Sequence, residues 1–135
     1  MNNFKNLTGL LLLSLAALIF VAFTVIQEQK PWPVPEKYVK TENPVKADAE
    51  SIKLGKGLYS KHCQSCHGKK GMGDGSKAAE LDTPSGDFTT PEFKKQVDGE
   101  LFYKTKEGRE DMPSFKKKIP DEEDHWAIIN YVRTF

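Results

Sequence analysis

Five consecutive residues, Cys63-Gln64-Ser65-Cys66-His67, carry the strongest chemical signal in the chain. Two thiols in C-x-x-C spacing, followed at once by an imidazole, form the pattern for covalent attachment of a c-type haem. Each sulfur would make a thioether to a haem vinyl group, and His67 would sit directly under the iron. The short spacing sets both sulfurs on one edge of the macrocycle. It also fixes the imidazole beneath the metal before the rest of the chain closes. The chain has only these two cysteines, so the motif uses every thiol. Three other readings of paired cysteines stand beside this one. A thiol–disulfide redox pair also uses C-x-x-C, but it wants a preceding strand and a βαβ frame. Here a helix-like stretch precedes the motif and a glycine-rich loop follows it. A zinc site needs a fourth ligand at suitable spacing, and only His62 and His125 remain to supply it. The third reading is a plain structural disulfide.

A haem held by His67 asks for a second ligand downstream. Met1 is the initiator, and Met72, within Gly71-Met72-Gly73-Asp74-Gly75, is too near His67 to reach the far face of the ring. Met112, within Asp111-Met112-Pro113-Ser114-Phe115, is far enough along to wrap round it. A thioether opposite an imidazole gives the Met/His pair of electron-transfer cytochromes and raises the reduction potential. The plainer role for Met112 is to fill a gap in the core, as methionine often does. His62 reads as a solvent-edge residue and His125 as a surface or packing residue.

On Cys63-Gln64-Ser65-Cys66-His67-Gly68, Gly71-Met72-Gly73-Asp74-Gly75, Met112-Pro113-Ser114-Phe115 and the final Ile128-Ile129-Asn130-Tyr131-Val132-Arg133, the chain resembles the bacterial single-haem class I cytochromes c. The resemblance covers residues 47–135 and looks closest to small membrane-linked domains of respiratory chains. It implies an all-α cytochrome c fold wrapped around one covalent haem c. It implies that the first and last helices cross where Gly55 and Tyr59 meet Ile128 and Tyr131. It also implies that a proline carbonyl after the motif accepts the Nδ1 proton of the axial histidine, and Pro84 is the match. The site carried over is then Cys63 and Cys66 as thioethers, His67 and Met112 as axial ligands, and Pro84 behind His67. Haem attachment outside the bacterial inner membrane is a further implication.

The elements around this site divide into an N-terminal segment (1–26), a tether (27–46) and a haem domain (47–135). Leu7 to Ile26 is an uncharged run of twenty residues, about 30 Å as a helix, which matches a bilayer core. No good small-residue cleavage site follows it, so it reads as an uncleaved anchor, with a cleaved signal as the alternative. Either places the haem domain in the periplasm. Lys5 stays inside under the positive-inside rule. Prolines 31, 33, 35 and 44 give residues 27–46 an extended, semi-rigid path. Trp32 and Tyr38 suit either a membrane interface or packing on the haem domain.

Within residues 47–135 the spacing predicts helices and no strands. Asp48 or Ser51 starts the first, and a short turn covers Ser76 to Leu81. Thr90-Pro91-Glu92 is a good start signal. Asp98-Gly99-Glu100 opens a helix that Gly108 ends, and Pro120 to Asp124 opens the last, its acidic cluster serving the helix dipole. Phe88, Phe93, Phe102 and Phe115 are candidates for the apolar wall of the haem. A formal net charge of +1 excludes a strong nucleic-acid signal. Lys69-Lys70 and Lys116-Lys117-Lys118 are candidate docking lysines for an acidic redox partner. The expected function is electron transfer between a redox donor and acceptor, as a tethered carrier or a subunit of a membrane respiratory complex, with no small-molecule substrate. The alternative is a haem peroxidase or gas-binding cytochrome with an open distal site, which an occupied Met112 position argues against.

Overall fold

The computed structural model describes residues 31–135, so the apolar run and the first part of the tether lie outside the described residues. The Asp48 carboxylate accepts from the backbone N–H groups of Glu50 and Ser51, while Ser51 Oγ accepts from the Asp48 N–H. This reciprocal box satisfies N–H groups that a helix start leaves open and begins α2, Ala49–His62. Ahead of it lies the short α1, Glu36–Val39. One turn, α3 (Gln64–His67), follows α2 directly. A 3₁₀ turn covers Ala78–Glu80, inside the span expected. Thr90 caps α4, Pro91–Lys94, its hydroxyl accepting from the Phe93 N–H at 3.3 Å. The helix α5 is Asp98–Glu107, closed by Gly108. The last, α6, is Glu122–Val132, started by the Asp121 carboxylate. Among the described residues there is no strand, only an isolated bridge between Arg109 and Met112. None of their helices is long and apolar enough to cross a membrane.

The frame is the contact of α2 with α6. A Cβ on Gly55 would overlap the Ala127 carbonyl oxygen and touch Tyr131 Cβ at 3.0 Å, so only glycine permits this approach. One turn on, the Tyr59 ring meets Tyr131 and Phe135 edge to face, each at 5.3 Å between centroids. Tyr59, Phe115, Ile119, Ile128 and Val132 are buried together in one cluster. Burying side chains of this size contributes roughly 1.5–3 kcal/mol each. A second cluster joins α5 to α6 through Leu101, Phe102, Trp126 and Ile129, with the Phe102 and Trp126 rings stacked at 4.1 Å.

Residues 33–135 form one unit, so most of the segment read as tether packs on the helices. Tyr38 lies 4.8 Å from the Tyr103 ring and 6.3 Å from Phe102. Asn43 Nδ2 donates to Asn130 Oδ1 at 2.8 Å, and Asn130 Nδ2 donates to the Val45 carbonyl at 3.1 Å. The sequence left Tyr38 between membrane and domain; its aromatic neighbours on α5 decide for the domain. Arg133, at the end of α6, bonds Asp98 at 2.8 Å and the carbonyls of Lys94 and Gln96. One guanidinium thereby fixes the junction of α4 and α5.

His125 is buried on α6. Its Nε2 lies 2.9 Å from the Ile119 carbonyl, its Nδ1 is buried without a partner, and its ring stands edge-on to Phe102. Burial lowers its pKa, with the Ile119 bond opposing. The unfolded chain protonates near the ordinary histidine value of about 6.5 and the folded chain only below it. Between those two values the unfolded state binds more protons, so stability rises with pH there. The His125 contribution is complete above about pH 6.5 and is lost as pH falls through the window beneath it. Urea unfolding of the haem-loaded protein from pH 7 to 5 should show this decline, and His125→Phe should flatten it. Gly55→Val should lower stability by about 1–3 kcal/mol or more through overpacking; an unchanged urea midpoint would show that the helices do not need the close approach.

Candidate haem-binding site

Cys63 is both the last cap of α2 and the first cap of α3, and its N–H donates to the Tyr59 carbonyl at 2.8 Å. The motif therefore continues the helix that carries the core. A one-turn helix leaves its carbonyls open, and the loop after it closes them. The N–H groups of Gly73, Gly75 and Lys77 donate to the carbonyls of His67, Cys66 and Ser65 at 3.0, 3.1 and 2.8 Å. A Cβ on Gly75 would collide with the Ser65 carbonyl and sit 2.6 Å from the Cys66 carbonyl carbon. The glycine-rich loop is thus a backbone clasp on the motif. From the other side, the buried Tyr59 hydroxyl donates to the Gly68 carbonyl at 2.7 Å. Burial pushes the Tyr59 phenol above its usual pKa, so it keeps the proton it donates.

Cys63 and Cys66 are free thiols, with no disulfide between them. Burial, reinforced by Cys66, pushes the Cys63 thiol up to about 12. Among the described residues no group of three or more His, Cys, Asp or Glu is placed to hold a metal ion. Burial also lowers the His67 pKa to about 4, with the Ser85 backbone opposing. The imidazole is therefore neutral at pH 7, the state in which histidine ligates metals. Its Nδ1 is buried without a partner in hydrogen-bonding geometry. The ring stacks on Phe88 at 4.5 Å, and Phe88 stacks on Phe93 at the same distance. Two free thiols, one capping and one within a single turn, beside a half-buried neutral imidazole, fit covalent haem.

Met112 ends a tight turn closed by two backbone bonds. The Arg109 N–H donates to the Met112 carbonyl at 2.8 Å, and the Met112 N–H donates to the Arg109 carbonyl at 2.9 Å. Met112, Cys63, Phe88 and Phe93 all pack against the cluster that contains Tyr59 and Phe115. The fold thus brings Met112 to the same core as the motif. Met72 is 50% exposed, which fits its reading as a loop residue. Pro84 is exposed; its neighbour Ser85 is the residue whose backbone acts on His67. His62 stands edge-on to Phe115 at 5.9 Å. Of the four candidate wall phenylalanines, Phe102 belongs to the α5–α6 cluster, Phe88 and Phe115 belong with the motif, and Phe93 packs against both. Sequence reasoning missed Ser85 and Thr83; the turn-forming run Asp82-Thr83-Pro84-Ser85-Gly86 was the available signal.

A helical domain built on this thiol–thiol–imidazole turn is a c-type cytochrome domain of the class I kind. The family model described as cytochrome c oxidase, cbb3-type, subunit III matches residues 50–132, and the chain belongs to that family. Such a domain carries covalently bound haem c and works in electron transfer. Among solved structures, the chain is similar to one from the Kuenenia stuttgartiensis reducing HAO-like protein complex, with a TM-score of 0.62 and 27% identity. The match covers 80% of this chain and 52% of the other, so the chain spans about half that neighbour's length. A search of curated proteins finds no match.

Removing the Tyr59 hydroxyl leaves the buried Gly68 carbonyl without that donor. Tyr59→Phe should cost about 1–3 kcal/mol in urea unfolding of the haem-loaded protein, while mass spectrometry still finds haem attached. Full stability in the variant would remove the hydroxyl from the account of how the motif is held.

Proposed function

We propose that the domain carries electrons through a single haem ligated by His67 and Met112. The observation that supports this is the placing of Met112 on the core cluster that Cys63 and Phe88 also line. When bound, the haem supplies an iron that cycles between ferrous and ferric. The chain does the rest. Cys63 and Cys66 fix the ring covalently, and His67 offers a neutral nitrogen. The Ser85 backbone acts on His67, and in this reading the carbonyl of its neighbour Pro84 accepts the Nδ1 proton. Phe88, Phe93 and Phe115 exclude water, and low polarity with thioether ligation raises the potential. With both axial positions filled, no substrate site is needed.

The partners in this reading are redox proteins, a donor and an acceptor within a membrane respiratory system. The family description names an oxidase subunit and the structural neighbour belongs to a multi-protein complex; both support a place in an assembly. Lys69, Lys70 and Lys117 are exposed and would meet an acidic partner near the motif. Lys116 is engaged with Glu107 at 2.6 Å, and this bond raises its pKa. The domain lies in the periplasm, held at the inner membrane by residues 7–26. Only residues 27–32 separate that run from the unit beginning at Pro33.

Optical spectra of exported protein in both redox states, with the haem adduct confirmed by mass, test the reading. The oxidised form should show a thioether–iron charge-transfer band. Met112→Ala should abolish the band and lower the potential. A wild-type spectrum without the band would assign another distal ligand, and colourless protein would end the haem reading altogether.

A further inference from the structure

The two acidic residues beside Met112 are exposed, yet each accepts a hydrogen bond from one distant residue. The Thr83 N–H donates to Asp111 Oδ2 at 2.9 Å, and the Thr83 hydroxyl donates to Glu110 Oε2 at 2.9 Å. Thr83 stands immediately before Pro84-Ser85, the segment whose Ser85 backbone acts on His67. One residue therefore ties the loop on the imidazole side to the turn that presents Met112, across 27 and 28 positions of sequence. The turn is also fixed on its far side. The Phe115 N–H donates to the Lys106 carbonyl at 3.2 Å, and Ser114 Oγ donates to the same carbonyl at 2.8 Å. Glu110 has φ 53°, the one non-glycine residue with positive φ among those described. That left-handed conformation is uncommon for such a residue and persists where the surroundings hold it. The Thr83 hydroxyl bond is an interaction that holds it.

We infer that Thr83, through Glu110 and Asp111, is a latch that keeps the Met112 thioether in place and so limits how often the sixth coordination position opens. The inference rests on the Met112 ligation proposed above. Thr83 touches neither ligand; it is a positioning residue that joins the two loops on which they depend. Undoing the latch frees the Arg109–Met112 turn on one side while Ser114 and Phe115 keep the other side attached to α5. The turn then swings open without unfolding of the helices.

The test is the rate at which added imidazole replaces the thioether in the ferric haem-loaded protein, followed by loss of the charge-transfer band. The variants are Thr83→Val, Asp111→Ala and their combination. Thr83→Ser, which keeps the hydroxyl donor, is the conservative rescue. Asn43→Ala, which loses the bond to Asn130 on α6, serves as a control that lowers stability without touching the latch. Two lost bonds to carboxylates should speed replacement about tenfold in the double variant, and its potential should fall. Thr83→Ser should exchange like wild type, and Asn43→Ala should lose urea resistance without faster exchange. Equal acceleration in the double variant and Asn43→Ala would show a general loss of stability and overturn the latch. So would unchanged exchange in the double variant. A wild-type protein with no thioether band would refute the Met112 reading itself, and the latch with it. If the combination fails to fold, the single variants carry the same comparison with a smaller effect.

Discussion

Backbone meets backbone where Gly55 lies against the Ala127 carbonyl, and this contact sets the separation of α2 and α6. Everything that matters to the cofactor hangs from those two helices. The motif is the direct continuation of α2, so the spacing of the pair decides where Cys63 and His67 lie. Tyr59, one turn beyond Gly55, uses its ring to fill the interface and its hydroxyl to hold Gly68. A larger residue at position 55 would move the motif and the core together, because no flexible joint lies between them.

Around this frame the polar interactions are few and directed. The clasp of Gly73, Gly75 and Lys77 uses backbone N–H groups, so it fixes the motif without calling on a side chain. Among the described residues, the buried side-chain polar atoms left unpartnered are His67 Nδ1, Ser85 Oγ and His125 Nδ1. Two of these three belong to the imidazole side of the proposed cofactor. An unsatisfied buried polar atom costs about 1–3 kcal/mol, and the His67 Nδ1 proton points to the loop behind the imidazole, leaving Nε2 as the nitrogen free to ligate a metal. The exposed charges pair elsewhere, as in Lys116 with Glu107 and Lys40 with Glu36. Such pairs contribute little to stability.

Much of the fold was legible because its signals are local. Asp48 with Ser51, Thr90 with Pro91, and Asp121 mark helix starts through side chains that bond the adjacent backbone. The thiols and the imidazole were legible because their spacing carries the chemistry. What could not be read depends on distant partners. Tyr38 packs on α5 only because Gly99 has no side chain to keep the Tyr38 carbonyl away, and nothing near Tyr38 in sequence announces this. Nothing near Glu110 and Asp111 in sequence announces their bonds to Thr83, which is 27 and 28 positions away. Phe102 has the same composition signal as Phe88, yet its place on α5 turns it towards Trp126.

The withdrawn thiol of Cys63 also bears on the order of biosynthesis. Adding sulfur to a vinyl group calls for a nucleophile, and a thiol with its pKa at about 12 is almost entirely inert at neutral pH. In an open chain the same thiol has the ordinary value of about 8.5 and is accessible. Cys63 is also half-buried and packed against the core cluster that the last helix completes. An open chain therefore presents this sulfur more readily than a closed one, which favours ligation before the terminal helix docks.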